Sequence, residues 1–285
     1  MVSEIPRLKI NLERENTTVI CPMNDGESAI ICDICQRLSL DIRVSKQKLG
    51  ATLEKELDDA PDTFKNLRRN VIIVEIPGPT TEEKLRHDHS ILIIDHHGYP
   101  ELNRMHAYSS LEQFADLIGY KLTRFEMGIA INDRSFIDGL VERGYSSKEI
   151  EEIRRYDLKK QKFEEKDFEL LEKTYAEGKM EGHMYVVKTT HDKTSYLSDI
   201  HILNYPEWRS RPDLVVVNLD EQGRCVKVSF SGKPANAKVL HEKLKGYFGS
   251  DEAYSMYWGK TFDTPVDEKE LLSSVTSSLT NLKKE

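Results

Sequence analysis

The stretch ILIIDHHGYP, residues 91–100, joins four apolar residues to one aspartate and two histidines. A short continuous run of apolar, mostly β-branched residues is typical of a buried strand in a parallel sheet. Asp95, His96 and His97 follow this predicted strand directly, at its carboxyl end. Open parallel sheets bind their ligands beyond the carboxyl ends of the strands. The stretch therefore predicts a site that presents one carboxylate and two imidazoles.

Two earlier segments repeat this arrangement. TTVIC (17–21) runs into PMNDGESA, and VIIVE (71–75) runs into IPGP. Helix-like patterns follow all three predicted strands, over residues 28–40, 80–88 and 110–120. Strands that alternate with amphipathic helices predict an α/β domain with a parallel sheet. Asp25 and Glu75 would then lie at the same edge of the sheet as Asp95, His96 and His97.

Composition limits the kinds of function. The chain has 285 residues, 38% of them hydrophobic, and a net charge of -8 from 41 basic and 49 acidic residues. This balance argues against a broad basic surface for long nucleic acid, although a short oligonucleotide in a local groove is compatible with it. No apolar run approaches the ~18 residues of a membrane span, and the first residues lack a secretory pattern. We therefore expect a cytoplasmic protein that does not insert into membranes.

The four cysteines do not form a disulfide framework in a chain of this size. Cys32 and Cys35 make a C-x-x-C, but they lie within an apolar-periodic helix pattern, which favours core cysteines over a metal or redox site. Carboxylates and imidazoles without thiolates are ligands for Mn²⁺, Mg²⁺, Fe²⁺ or Zn²⁺. Manganese is favoured where several carboxylates mix with imidazole.

These residues resemble the motifs of the DHH phosphoesterase superfamily. Its members include RecJ-type single-strand exonucleases, oligoribonucleases, cyclic-dinucleotide phosphodiesterases and manganese pyrophosphatases. NDGESA (24–29) stands in the place of the family's D-x-D-G motif, and Glu75 in the place of its second acid. GIAINDRSF (128–136) is similar to the family's G-I-x-x-D-x-x-x-F motif, with Asp133 as the acid. Together with Asp95-His96-His97, four motifs follow in the family's order over the first half of the chain.

The first motif departs from the family. Met23 replaces its first aspartate, and Val19 or a neighbour replaces its histidine. The resemblance therefore implies a single retained metal site. Its expected ligands are Asp25, Glu75, His96 and Asp133.

The resemblance also implies roles for the residues around this metal. Asp95 would orient a neighbouring imidazole, and His97 would face the substrate as a proton donor or phosphate contact. Asn24 and Arg134 are candidate substrate contacts. For Arg134, an ion pair with a neighbouring helix is an equally weighted alternative.

The rest of the chain predicts further parts after an N-terminal domain at residues 1–145. Residues 146–180 are dense in charge and predict a helical linker, which Ser146 and Glu149 would begin as a capping box. Residues 181–265 resemble the smaller α/β substrate domain that accompanies the DHH domain, although the family's G-G-G-H segment has no histidine here. Residues 266–285 would form a C-terminal helix or tail. The implied substrate contacts of the second domain are Ser231, Gly232, Lys233, Gly249 and Ser250. Tyr254, Tyr257 and Trp258 are candidates for base stacking, although packing in the core is the favoured interpretation of these aromatic residues.

The expected function is that of a metal-dependent phosphoesterase, a hydrolase or nuclease that cleaves a small phosphodiester or short oligonucleotide with metal-activated water. Mn²⁺ is the expected cofactor, with Mg²⁺ as the alternative. A second hypothesis is a catalytically reduced DHH-family protein that binds nucleotide or nucleic acid or scaffolds partners. A third is an unrelated α/β module with an accidental D-H-H, in which the four expected ligands would not converge.

Overall fold

The computed structural model describes residues 13–48, 50–99, 101–249 and 256–280. These residues form two compact units, divided between Lys162 and Phe163. The division lies inside the predicted linker, because the helices on either side of it pack into different units. Among the described residues, no helix combines the length and apolar character needed to cross a membrane.

The first unit is an α/β domain. Its strands are β1 (Thr17–Pro22), β2 (Asp41–Ser45), β3 (Asn70–Val74), β4 (Ser90–Ile94) and the two-residue β5 (Gly98–Tyr99) and β6 (Leu102–Asn103). Its helices are α1 (Gly26–Arg37), α2 (Leu53–Asp59), α3 (Pro79–Leu85), α4 (Ser110–Ile118), α5 (Arg124–Glu142) and α6 (Ser147–Lys160).

The main sheet of this unit is parallel throughout, in the order β2-β1-β3-β4. The three strands predicted from the apolar segments lie next to one another, and β2 extends the sheet beyond β1. All six residues of β1 are buried, as are four of the five in β3, because helices cover the sheet. The predicted parallel α/β architecture is confirmed.

Side-chain caps fix where the helices of this unit begin. Ser109, Thr123 and Ser146 accept hydrogen bonds at the N-termini of α4, α5 and α6, each in a capping box. The capping box predicted at Ser146 is therefore present. Cys32 and Cys35 are buried and free within α1, which confirms them as core residues.

The second unit is a mixed sheet with helices. Its strands are β7 (Lys179–Glu181), β8 (Met184–Thr189), β9 (Asp213–Leu219), β10 (Cys225–Gly232), β11 (Tyr247–Gly249) and β12 (Met256–Val266). They lie in the order β11-β12-β10-β9-β8-β7, with only the β8–β9 pair parallel. Its helices are α7 (Glu165–Ala176), α8 (Ser195–Asn204), α9 (Pro234–Leu244) and α10 (Glu268–Thr280).

Candidate metal site

Four ionisable side chains converge at the carboxyl edge of the first sheet: Glu27, Glu75, His96 and Asp133. Each offers one ligand atom, and the four atoms lie within 4.8 Å of one another. His96 Nε2 is 2.6 Å from Asp133 Oδ2, 3.2 Å from Glu75 Oε1 and 3.6 Å from Glu27 Oε2. Four separate elements therefore direct side chains to one point.

Two of these residues follow neighbouring strands. Glu75 comes directly after β3 and His96 two residues after the end of β4, so the parallel pairing of these strands places them side by side. Glu75 has a φ of 50°, in the left-handed region that non-glycine residues seldom adopt. Its N–H donates to the carbonyl of Ile94 at 3.0 Å, which holds this conformation in place. Backbone strain of this kind is concentrated at functional sites.

Helices supply the other two residues. Glu27 lies in the first turn of α1, and its Oε1 accepts a hydrogen bond from the backbone N–H of Leu111 at 2.8 Å. That bond leaves Oε2 directed to the cluster. Asp133 lies within α5, three residues before Phe136, whose φ of 51° and ψ of -157° interrupt the helix.

The atoms that face one another in this cluster have no hydrogen-bond partners. Glu27 Oε2, Glu75 Oε1, His96 Nε2 and Asp133 Oδ2 are all buried, and none makes a hydrogen bond of normal geometry. Such atoms are rare, because a buried polar group without a partner costs about 1–3 kcal/mol. Together the four atoms are three carboxylate oxygens and one imidazole nitrogen, which is a suitable set of ligands for a hard divalent cation. The residues present therefore fit a metal ion.

Burial and mutual charge shift the pKa values of the cluster. Burial, reinforced by the nearby Asp133 and Glu75, raises the pKa of Glu27 well above its usual range. Burial alone would lower the pKa of His96, but its contacts with Asp133 and Glu75 raise it to about 10. For Glu75, burial acts to raise the pKa, yet the contacts with His96 and Glu27 and the charge of His97 lower it below its usual value. Without metal, protons therefore compensate part of the clustered negative charge.

Asp95 and His97 form a hydrogen-bonded pair beside the cluster. Asp95 Oδ1 accepts from the backbone N–H of His97 and lies 3.0 Å from its ring Nδ1, while Oδ2 accepts from the hydroxyl of Tyr99 at 3.1 Å. Arg104 Nη1 lies 3.7 Å from the same Oδ2. The contact with Asp95 raises the pKa of His97. The His97 side chain is 49% exposed, and since Nδ1 is held by Asp95, Nε2 is the ring nitrogen left for another partner.

Asp25 lies just before α1 and caps this helix. Its Oδ1 accepts from the backbone N–H and from the hydroxyl of Ser28, at 2.8 and 2.7 Å. Burial and the charges of Glu75 and Asp133 raise its pKa to about 7, which places it in the electrostatic field of the cluster. Among the described residues, however, the fourth ligand atom of the converging group comes from Glu27 and not from Asp25. The sequence analysis assigned no role to Glu27.

The two predicted substrate contacts of the first unit differ in their surroundings. Asn24 is partly buried in the turn before α1, and its N–H lies 3.3 Å from the Ser28 hydroxyl. Arg134 follows Asp133 and makes an ion pair with Glu112 of α4, with Nε 2.7 Å from Oε2. The alternative interpretation of Arg134, an ion pair with a neighbouring helix, matches this contact.

Three of the predicted contacts of the second unit lie where β10 leads into α9. Ser231 and Gly232 end the strand, and Lys233 is exposed at the N-cap of the helix. The buried carboxylate of Asp213 accepts from the Lys233 N–H at 2.9 Å and from the Asn236 amide at 2.5 Å. A side-chain carboxylate therefore already occupies this helix N-terminus, where a phosphate would otherwise bind.

The remaining predictions concern β11, β12 and the residues between them. Gly249 ends β11 and is partly buried, whereas Ser250 and Tyr254 lie outside the described residues. Trp258 is fully buried and donates from Nε1 to the Lys245 carbonyl at 2.7 Å, so it is a core residue. The hydroxyl of Tyr257 donates to Ser229 at 3.1 Å.

The comparisons with known proteins include a distant similarity to a solved structure. No family model matches the sequence, and no curated protein matches it. Among solved structures, the crystal structure of exonuclease RecJ bound to manganese is similar at 11% sequence identity and a TM-score of 0.36. The match covers 93% of this chain and 89% of that chain. At this identity and TM-score the similarity carries no weight for activity, which must be inferred from the side chains and their geometry.

Proposed function

We propose that this protein is a metal-dependent phosphoesterase that hydrolyses a small phosphodiester or a short oligonucleotide. The observation that carries the proposal is the convergence of four buried side-chain atoms without hydrogen-bond partners, from Glu27, Glu75, His96 and Asp133. A cluster of this kind has a physical explanation if a divalent cation binds it. The D-H-H sequence that follows β4 contributes both the imidazole ligand and the neighbouring pair of Asp95 and His97.

The donor set favours Mn²⁺. Three carboxylates and one imidazole combine hard oxygen ligands with a nitrogen of intermediate softness, which suits manganese better than an all-oxygen magnesium site. Mg²⁺ is the second candidate. When bound, the metal would lower the pKa of a coordinated water and polarise a phosphoryl oxygen.

His97 is the proposed proton donor to the leaving oxygen. Asp95 holds its Nδ1, so the ring orientation is fixed and Nε2 is the nitrogen that can give up a proton. Because the contact with Asp95 raises the pKa of His97, the imidazolium is favoured, as a proton donor requires. Tyr99 and Arg104 stabilise the carboxylate of Asp95 in turn.

A catalytically reduced protein that binds nucleotide or nucleic acid without hydrolysis is the second candidate. The described residues contain two candidate metal-binding groups, and both include Glu75 and His96. A second metal would therefore have no independent set of ligands. Met23 and Val19, at the first-motif positions where ligands are expected, supply an exposed thioether and a buried alkyl group.

Hydrolysis of a small panel with defined metals separates these candidates. The panel contains a model phosphodiester, a dinucleotide, short RNA, single-stranded DNA and pyrophosphate, each with Mn²⁺, Mg²⁺ or a chelator. We expect activity that requires metal and is lost in His96→Ala and Asp133→Ala but kept in His87→Ala, a control at an exposed histidine. Mn²⁺ binding without turnover of any substrate would instead favour the binding protein.

A further inference from the structure

Two ligands of the proposed metal site follow residues that are bound to the same carboxylate. Gly26, which precedes Glu27, donates its backbone N–H to Asp157 Oδ1 at 2.8 Å. Asn132, which precedes Asp133, has its side-chain Nδ2 3.4 Å from Asp157 Oδ2. Asp157 lies on α6, so this helix connects the beginning of α1 to the middle of α5.

A buried ion pair fixes this carboxylate. Arg154, one turn earlier on α6, places Nη1 2.7 Å from Asp157 Oδ2 and 3.2 Å from Asn132 Oδ1. The side-chain amide of Gln161 lies 3.1 Å from Asp157 Oδ1. Arg154, Asp157 and Asn132 are all buried. The charges of the pair are thus compensated, and both oxygens of the carboxylate have donors.

The approach of α1 to α6 is closer at the contact point than most side chains allow without a small shift of the neighbouring helix. A Cβ at Gly26 would lie 3.1 Å from the Cα and Cβ of Asp157. Glycine therefore allows the helix N-terminus to reach the carboxylate directly, which leaves little freedom in the position of the next residue, Glu27. The position of α6 therefore affects the positions of Glu27 and Asp133, through the backbone N–H of Gly26 and the side-chain amide of Asn132.

We infer that Asp157 is a positioning residue for the metal site, which holds Glu27 and Asp133 at the separation that a single cation requires. The inference deepens the proposed function and rests on its metal site. A buried ion pair is weak evidence of a purely stabilising role, because apolar residues of similar volume often stabilise a fold equally well. Removal of a group that orients a metal ligand typically lowers metal affinity 10- to 100-fold. Asp157 would orient two ligands at once, through the residues that precede them.

The test measures Mn²⁺ affinity by calorimetry, and the electronic spectrum of the Co²⁺-substituted protein, in Asp157→Ala and in the milder Asp157→Asn. The matched control is Glu56→Ala, which removes a buried carboxylate of α2 that bonds to Ser45, Gln47 and Thr63. We expect the Kd for Mn²⁺ to rise 10- to 100-fold in Asp157→Ala, less in Asp157→Asn, and under threefold in the control at a similar loss of Tm. The Co²⁺ spectrum should change only in the Asp157 variants.

Four outcomes would count against the inference or separate it from the proposed function. Unchanged Mn²⁺ affinity in the Asp157 variants, with a lowered Tm, would overturn it. If Asp157→Ala does not fold, unchanged affinity in Asp157→Asn does the same. A wild-type protein that binds no Mn²⁺ would overturn the inference together with its metal site. Tight Mn²⁺ binding with the expected variant effects but no hydrolysis would sustain the inference and remove only the proposed enzymatic function.

Discussion

Replacing Glu27 by glutamine should stabilise the metal-free protein. The glutamine side chain would keep the shape of the glutamate and an oxygen for the Leu111 N–H, while its amide nitrogen would replace Oε2, a buried atom without a hydrogen bond, within 4.8 Å of the carboxylate oxygens of Glu75 and Asp133. Satisfying one such buried group is worth about 1–3 kcal/mol. At 2–4 °C per kcal/mol for a domain of roughly 150–250 residues, Tm should rise by about 2–12 °C.

The pH dependence of this gain has a defined sign. Since the pKa of Glu27 is raised in the folded protein, its contribution is present below the ordinary value of 4.5 and is lost as pH rises through the folded value. Glutamine does not titrate. The advantage of Glu27→Gln in metal-free protein should therefore grow with pH.

With metal present, the stability advantage of Glu27→Gln should be cancelled or reversed. An amide is a neutral and poorer ligand than a carboxylate, and the loss of one of three anionic ligands should weaken Mn²⁺ binding by about 100-fold, or about 2.7 kcal/mol. Metal-induced stabilisation equals RT ln(1 + [L]/Kd), so at saturating Mn²⁺ it should be smaller in the variant by about this amount. That difference corresponds to about 5–11 °C in Tm.

The assay is thermal unfolding of wild type and Glu27→Gln, with about 1 mM Mn²⁺ and with a chelator, at two pH values. Glu82→Gln is the matched control, because Glu82 is also a buried carboxylate of this unit but pairs with Arg104 at 2.5 Å. We expect the control to be less stable than wild type without metal and to keep the full metal response. A Glu27→Gln protein that loses stability under chelator, with an unchanged response to Mn²⁺, would identify Glu27 as a structural ion-pair partner of His96 and refute the reasoning.

Three further predictions concern stability. Burial and the neighbouring Arg211 lower the pKa of His201 to about 4. The neutral imidazole therefore stabilises the fold fully above the unfolded pKa of 6.5, and this stabilisation is lost as pH falls through 4. Between pH 7.5 and pH 5, urea titrations should show that the free energy of unfolding falls by about 2 kcal/mol in wild type but not in His201→Asn. Glu75→Gly should be more stable than Glu75→Ala by about 1 kcal/mol in metal-free protein, because only glycine relieves the positive φ, and equal urea midpoints would contradict this. Trp258→Phe should lower the free energy of unfolding by about 2–4 kcal/mol, since it leaves a cavity and an unpaired Lys245 carbonyl, and a change under about 1 kcal/mol would rule out a core role.

The sequence predicted those strands that form a continuous apolar segment of the chain. The three apolar segments correspond to β1, β3 and β4, because continuous β-branched runs are stable only when both faces of a strand are covered. Strand β2, with the sequence DIRVS, was not predicted. Its charged residues give no apolar run, and four of its five positions are only partly buried, so it forms because β1 offers a partner edge.

Part of the candidate site also followed from strand ends. Glu75 and His96 occupy the positions after β3 and β4 at which parallel pairing brings side chains together, and this can be inferred from two adjacent strands alone. The contribution of helices is harder to infer, because it depends on the rotation of each helix against the sheet. Asp25 and Glu27 are two residues apart at the start of α1, and sequence spacing alone does not determine which of them faces Glu75.

A signal for Glu27 was nevertheless present in the helix that carries it. Ile31 and Ile34 follow Glu27 by four and seven residues, the spacing of one helical face, and both are fully buried. The apolar stripe of α1, extended back by one turn, therefore ends on a glutamate. A charged residue on a buried stripe is destabilising unless a partner compensates its charge, so it calls for a ligand or an ion pair. A glutamate in the first turn of a helix is also common because it interacts favourably with the helix dipole. From the sequence alone, this explanation accounts for Glu27 as well as a metal site does.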